Sequence, residues 1–77
     1  MDFQDAMRAM VASSGQSLRA ASVASGRTPG WLTSTLTRGS APTVTVAADL
    51  ARACGYALAY VPVGQVPDAA LVIDPPR

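Results

Sequence analysis

The stretch from Ser17 to Arg38, SLRAASVASGRTPGWLTSTLTR, constrains this chain more than any other. It has room for two short helices and a tight turn between them. Ser17 is a good N-cap, because its hydroxyl can accept from a first-turn N–H that has no helical partner. Leu18, Ala21 and Ala24 then recur at helical spacing as a narrow stripe. Ala20 adds to this small face, which lets a second helix approach closely. Ser25-Gly26 ends the first helix, since glycine accepts the positive φ that such a stop requires. Thr28-Pro29 predicts the next start: Thr caps, and Pro at the first helical position gives up a donor that lacks a partner there anyway. The second helix is expected over 28–38. Trp31, Leu32, Thr35 and Leu36 fall on one side of it, and Pro29, Gly30, Thr33, Ser34 and Thr37 on the other.

The flanks read as support. A first helix is expected over 2–14, capped by Asp2 and stopped by Gly15, with Phe3, Met7, Met10, Val11 and Ser14 on one face. After the loop Ser40-Ala41-Pro42, Thr43 caps a fourth helix that runs to Cys54. Its inward face is Val46, Leu50, Ala53 and Cys54, and Gly55 stops it. From Tyr56 the period changes to two: Tyr56, Leu58 and Tyr60 alternate with Ala57, Ala59 and Val61, which predicts a strand. Pro62, Gly64, Pro67 and Asp68 mark a long turn, and Leu71-Val72-Ile73 predicts a second, short strand. Asp74-Pro75-Pro76-Arg77 is a tail that cannot easily extend a sheet. The expected fold class is mainly α: four helices over 1–55, followed by a two-stranded antiparallel β-hairpin and tail over 56–77.

Seventy-seven residues make one small domain, of a size that often gains from oligomerisation. The net charge of +1 says little, but its distribution says more. No acid lies between Asp5 and Asp49, while Arg8, Arg19, Arg27 and Arg38 all do. A local basic field of this kind suits a polyanion, the alternative being a solvated surface that lacks acids. Cys54 is the only cysteine, so no internal disulfide is expected and a reducing, cytoplasmic setting fits. No apolar run approaches a membrane span, and the N-terminal residues lack the basic start of a targeting segment.

The residue set argues against an enzyme. The chain has no His, Glu or Lys, and its serines have no candidate base. Cys54 has no metal-ligand company and reads as a small core residue. No phosphate-binding glycine loop follows a strand. Neither a cofactor nor a metal is expected.

A helix-turn-helix needs small residues inside its angle, a glycine in its turn, and a capped second helix whose outer face fits the major groove. Residues 17–38 have all three. The chain here resembles the phage-repressor/Cro-like (XRE) helix-turn-helix family over about residues 3–55. The resemblance rests on Ser17, Gly26, Thr28, Leu32, Gly39 and the closing run Leu50-Ala51-Arg52-Ala53-Cys54-Gly55. Tyr56-Ala57-Leu58-Ala59-Tyr60-Val61-Pro62, with the later Val72-Ile73-Asp74-Pro75-Pro76, is similar to short bacterial or prophage members with a C-terminal hairpin. The chain departs from the pattern at Arg27, in a slot usually apolar, and at Ala21, in a slot usually Leu.

The resemblance implies a base-facing surface of Thr28, Pro29, Gly30, Thr33, Ser34 and Thr37. Hydroxyls can donate to or accept from base edges, and a Thr methyl can meet a thymine methyl. Pro29-Gly30 leaves the helix start bare for close approach. An ordinary solvent-facing Ser/Thr side is the competing reading. Phosphate contacts are expected from Gln16, Ser17, Arg19, Arg27 and Arg38. Trp31, at the edge of the buried stripe, either packs against the turn or lies along the DNA backbone.

A lone hairpin is unstable and leaves open edges. Tyr56, Leu58, Tyr60, Val61, Leu71, Val72 and Ile73 are therefore expected at the interface of a homodimer, the alternative being a hairpin folded back on its own domain. A two-fold dimer would set two reading helices about 34 Å apart on a near-palindromic operator. The partners expected are double-stranded DNA and a second copy of the chain, with no membrane. The expected function is sequence-specific transcriptional regulation, most simply repression, in a bacterial nucleoid or phage-infected cell. Two rivals remain: an antitoxin that represses its own promoter and grips a toxin, and a protein-interaction module that has lost DNA binding.

Overall fold

A computed structural model of the chain describes residues 1–74. Four helices follow one another: α1 (Phe3–Ser13), α2 (Leu18–Ala24), α3 (Trp31–Arg38) and α4 (Val44–Ala53). A single 3₁₀ turn at Val63–Gln65 interrupts the C-terminal segment. Three of the helix starts are set by the short polar side chains expected. Asp2 Oδ1 accepts from the Asp5 N–H at 2.7 Å, Ser17 Oγ from Ala20 at 3.0 Å, and Thr43 Oγ1 from Val46 at 3.4 Å.

α3 differs. Its N-cap is Gly30, which has no side chain to cap with, and Thr28 and Pro29 precede the helix rather than open it. The Trp31 N–H instead bonds the Thr28 carbonyl at 3.0 Å, so residues 28–31 form a turn. Gly30 is a poor helix residue and sits at φ −91°, ψ 0°, outside the helical well. The missing cap comes from α2. Ser22 Oγ accepts from the Leu32 N–H at 3.1 Å while donating to the Leu18 carbonyl at 2.8 Å.

The core is small. Met7, Met10, Val11, Ala21, Leu32, Leu36, Leu50, Ala51 and Cys54 form one buried cluster, and Phe3, Leu18, Trp31, Tyr56 and Leu71 pack against its edge. On α4 the buried positions are Ala47, Leu50 and Ala51, followed by the C-cap Cys54. Val46 and Ala53, expected to face inward, flank that stripe half-buried. On α2, Ala21 is buried as expected, Ala20 and Ala24 face solvent, and Ser22 takes an inward place. Each of the four helices is followed by a glycine at positive φ, among them Gly26 after α2 at +82° and Gly39 after α3 at +67°.

The expected C-terminal hairpin is absent: the described residues contain no strand or sheet. The segment after α4 is a strap laid along the helices. Tyr56 donates its N–H to the Ala51 carbonyl at 2.8 Å, and no backbone bond joins 57–61 to 71–73. The physical reason lies in the connection. Pro62 and Pro67 remove two donors from the region meant to turn, the 3₁₀ turn redirects the chain, and the second stretch is only three residues long. That stretch pairs with the other end of the chain. The Met1 ammonium donates to the Val72 carbonyl at 3.3 Å and to Asp74 Oδ2 at 2.6 Å, and the Asp74 N–H donates to the Met1 carbonyl at 2.9 Å. The bond to Asp74 holds the ammonium pKa above its ordinary value. Of the tail expected at 74–77, Pro75, Pro76 and Arg77 lie outside the described residues.

Candidate nucleic-acid interface

α3 is amphipathic in the sense the sequence predicts. Leu32, Thr35 and Leu36 are 0%, 3% and 6% exposed. Thr33, Ser34, Thr37 and Arg38 lie on the opposite side and are open to solvent. Thr28 and Gly30, in the turn ahead of the helix, are exposed as well, and Pro29 is half-buried. Five of the six candidate base-facing residues are therefore exposed: three hydroxyls on the helix, and Thr28 and Gly30 in the turn before it. α2 and α3 pack directly on each other, and α2 packs on α4. Gln4 fixes the far end of α3, its amide donating to the Gly39 carbonyl at 2.8 Å.

The five candidate phosphate ligands divide into two groups. Arg19, at the start of α2, and Arg38, at the end of α3, are exposed and make no ion pair among the described residues. Ser17 is exposed, but its hydroxyl caps α2. The Gln16 amide donates to the Ala53 carbonyl at 2.9 Å and so closes the C-terminus of α4. Arg27 is turned inward: Nη1 donates to the Ser25 carbonyl at 2.9 Å, and Nη2 lies 3.6 Å from Asp49 Oδ2. Its guanidinium carbon sits 5.6 Å from the centre of the Trp31 ring. Trp31 is half-buried against the core and the turn. Arg8, remote in sequence from this face, lies 3.6 Å from Asp5.

Ser22 carries more of this site than its sequence position suggested. It is fully buried, and through Leu32 it joins the two helices that build the surface. The available signal was its spacing: Ser22 lies four residues after Leu18, on the same helical face.

Of the seven expected interface residues, Tyr56 and Leu71 pack against the core, while Leu58, Tyr60, Val61, Val72 and Ile73 are exposed. Tyr60 is as open as a residue in an extended peptide, at 105%. An open, mostly apolar groove of about 640 Å³ is lined by Phe3, Met7 and Met10 of α1 together with Tyr56, Leu58 and Leu71 of the strap. No helix among the described residues is long and apolar enough to cross a membrane. Compared with family models, with curated proteins and with solved structures, the chain matches none.

Proposed function

We propose that this protein is a sequence-specific DNA-binding transcriptional regulator, most simply a repressor, that reads the major groove with α3 and acts as a homodimer. The observation that carries the reading is the two-sidedness of α3. Its apolar side is anchored at Leu32 and Leu36, and its free side offers Thr33, Ser34 and Thr37; Arg38 at its end and Arg19 on α2 are exposed and have no acid partner among the described residues. Short hydroxyl side chains read base edges at close range, and arginines outside them hold phosphates and set the register. No long bidentate side chain stands on the central face, so shape and a second half-site supply part of the discrimination.

Fluorescence anisotropy with a duplex from upstream of its own gene, across a salt series, tests this. Log affinity is expected to fall linearly with log salt, as counterions leave the phosphates. Absence of binding at low salt, or binding that does not weaken as salt rises, overturns the proposal. Two substitutions separate the roles within the face. Arg38→Ala should weaken every sequence alike, with the salt slope reduced by about 1. Thr33→Ala should change the ranking of sites while leaving that slope in place. Identical effects of the two would remove the distinction between positioning and reading.

The strap supports the homodimer. Leu58, Tyr60, Val61, Val63, Val66, Val72 and Ile73 all leave apolar surface exposed, and between Arg52 and Asp68 the chain has no charge to oppose its own copy. Sedimentation at several concentrations should show the mean mass rise from one chain towards two. Tyr60→Ala should weaken that association about tenfold through lost aromatic burial. A mass of one chain at every concentration would exclude the dimer.

A further inference from the structure

We propose that Arg27 is a positioning residue, tying the α2–α3 turn to α4 and so holding α3 at its presentation angle, rather than a ligand for phosphate. This role in presentation rests on the DNA-binding reading above; the tie itself is independent of it. Three contacts place the side chain. Nη1 closes on the Ser25 carbonyl within its own turn at 2.9 Å. Nη2 faces the Asp49 carboxylate of α4 at 3.6 Å. The guanidinium lies over Trp31, the first residue of α3, at 5.6 Å. One planar group therefore meets the turn, α3 and α4 together.

The chemistry suits arginine and no other side chain. A guanidinium donates along its edges while its face stays free to lie on an aromatic ring. A lysine has a single point charge and can satisfy only part of this set. The arginine side chain is 26% exposed, and its acid partner 56%. A phosphate would have to compete with the Asp49 carboxylate for the same guanidinium. Asp49 is also the residue that ends the acid-free stretch of the sequence. Its charge is opposed to that of Arg27, which leaves Arg19 and Arg38 as the candidate phosphate ligands with no acid partner among the described residues. The arrangement also accounts for an arginine in a slot that is usually apolar in the family the chain resembles.

The test uses the full chain and its Arg27→Ala, Arg27→Lys, Asp49→Asn and double Arg27→Ala/Asp49→Asn forms, with folding followed by circular dichroism. Two readouts are needed. The first, without DNA, is quenching of Trp31, the only tryptophan, by acrylamide. Arg27→Ala and Asp49→Asn should both raise Trp31 accessibility, and Arg27→Lys should not restore it. The second is affinity for the upstream duplex across the salt series. Arg27→Ala and Asp49→Asn should each weaken binding by about 3- to 10-fold, the double substitution no more than Arg27→Ala alone, with the salt slope unchanged.

A slope reduced by about 1 in Arg27→Ala, together with tighter binding by Asp49→Asn, would make Arg27 a phosphate ligand and overturn the proposal. Should the wild type bind no DNA, the functional reading fails while the quenching measurement still decides the tie. Unchanged Trp31 accessibility in both single variants refutes it.

Discussion

Leu32→Ala is expected to lower the free energy of unfolding by about 3 kcal/mol, within the range of about 2–5 for a leucine truncated in a packed core. Leu32 is fully buried, and with Leu36 it carries α3 into the cluster that includes Met10, Ala21 and Leu50. Ala21, Ala51 and Val11 in the cluster are too short to refill the space, and Met7 and Met10 are the side chains flexible enough to close part of it. A domain of this length has only about 4–12 kcal/mol of stability in total, at about 0.05–0.15 kcal/mol per residue. One substitution therefore removes a large part of it. Urea unfolding followed by circular dichroism measures the loss, with Thr33→Ala as the solvent-facing control, expected within about 0.5 kcal/mol of wild type. A loss below about 1 kcal/mol for Leu32→Ala would mean that Leu32 does not anchor α3.

Ser22→Ala is expected to cost about 2 kcal/mol, more than an exposed hydrogen bond is worth. The reason is an asymmetry: the substitution deletes an acceptor and leaves its donor behind. The Leu32 N–H, now capped by Ser22 Oγ at 3.1 Å, would remain buried without a partner. A buried donor left unpaired costs about 1–3 kcal/mol. Gly30 cannot take over, because it has no side chain. The effect should therefore be concentrated at the start of α3. Amide exchange at Leu32 and in the following turn should accelerate, while α1, which makes no bond to Ser22 or Leu32, keeps its protection relative to global unfolding. A loss under about 0.5 kcal/mol would show that water reaches this N–H once the hydroxyl is gone.

Most of the helical part was legible because its signals are local. A cap, a period and a glycine stop lie within a few residues of each other, and Asp2, Ser17, Thr43, Gly26 and Gly39 all act where the sequence places them. The start of α3 was misplaced for the same reason in reverse. Thr28-Pro29 looks like a local start, but the group that caps α3 sits in a different helix, ten residues from the N–H it accepts. The candidate surface was legible as a face of α3. The occupations of Gln16 and Arg27 were not, since both are set by partners on α4, 37 and 22 residues away.

The C-terminal segment shows the limit of periodicity. Alternation of apolar residues from Tyr56 onward reports an extended backbone, and most of that stretch is extended or irregular. A strand also needs a neighbour to accept its hydrogen bonds, and alternation carries no information about which neighbour that is. Val72 and Asp74 found theirs in Met1.

The sequence by itself determined four helices, the caps of α1, α2 and α4, the glycine stops, the buried side of α3 and the hydroxyl side opposite it. All of these follow from interactions within one turn or one helical period. Only the tertiary structure decided that Ser22 caps α3, that Arg27 faces Asp49 and Trp31, and that the C-terminal segment is a strap rather than a hairpin. Each of those depends on which of several chemically adequate partners comes within bonding distance, and that choice belongs to the packing of the whole chain.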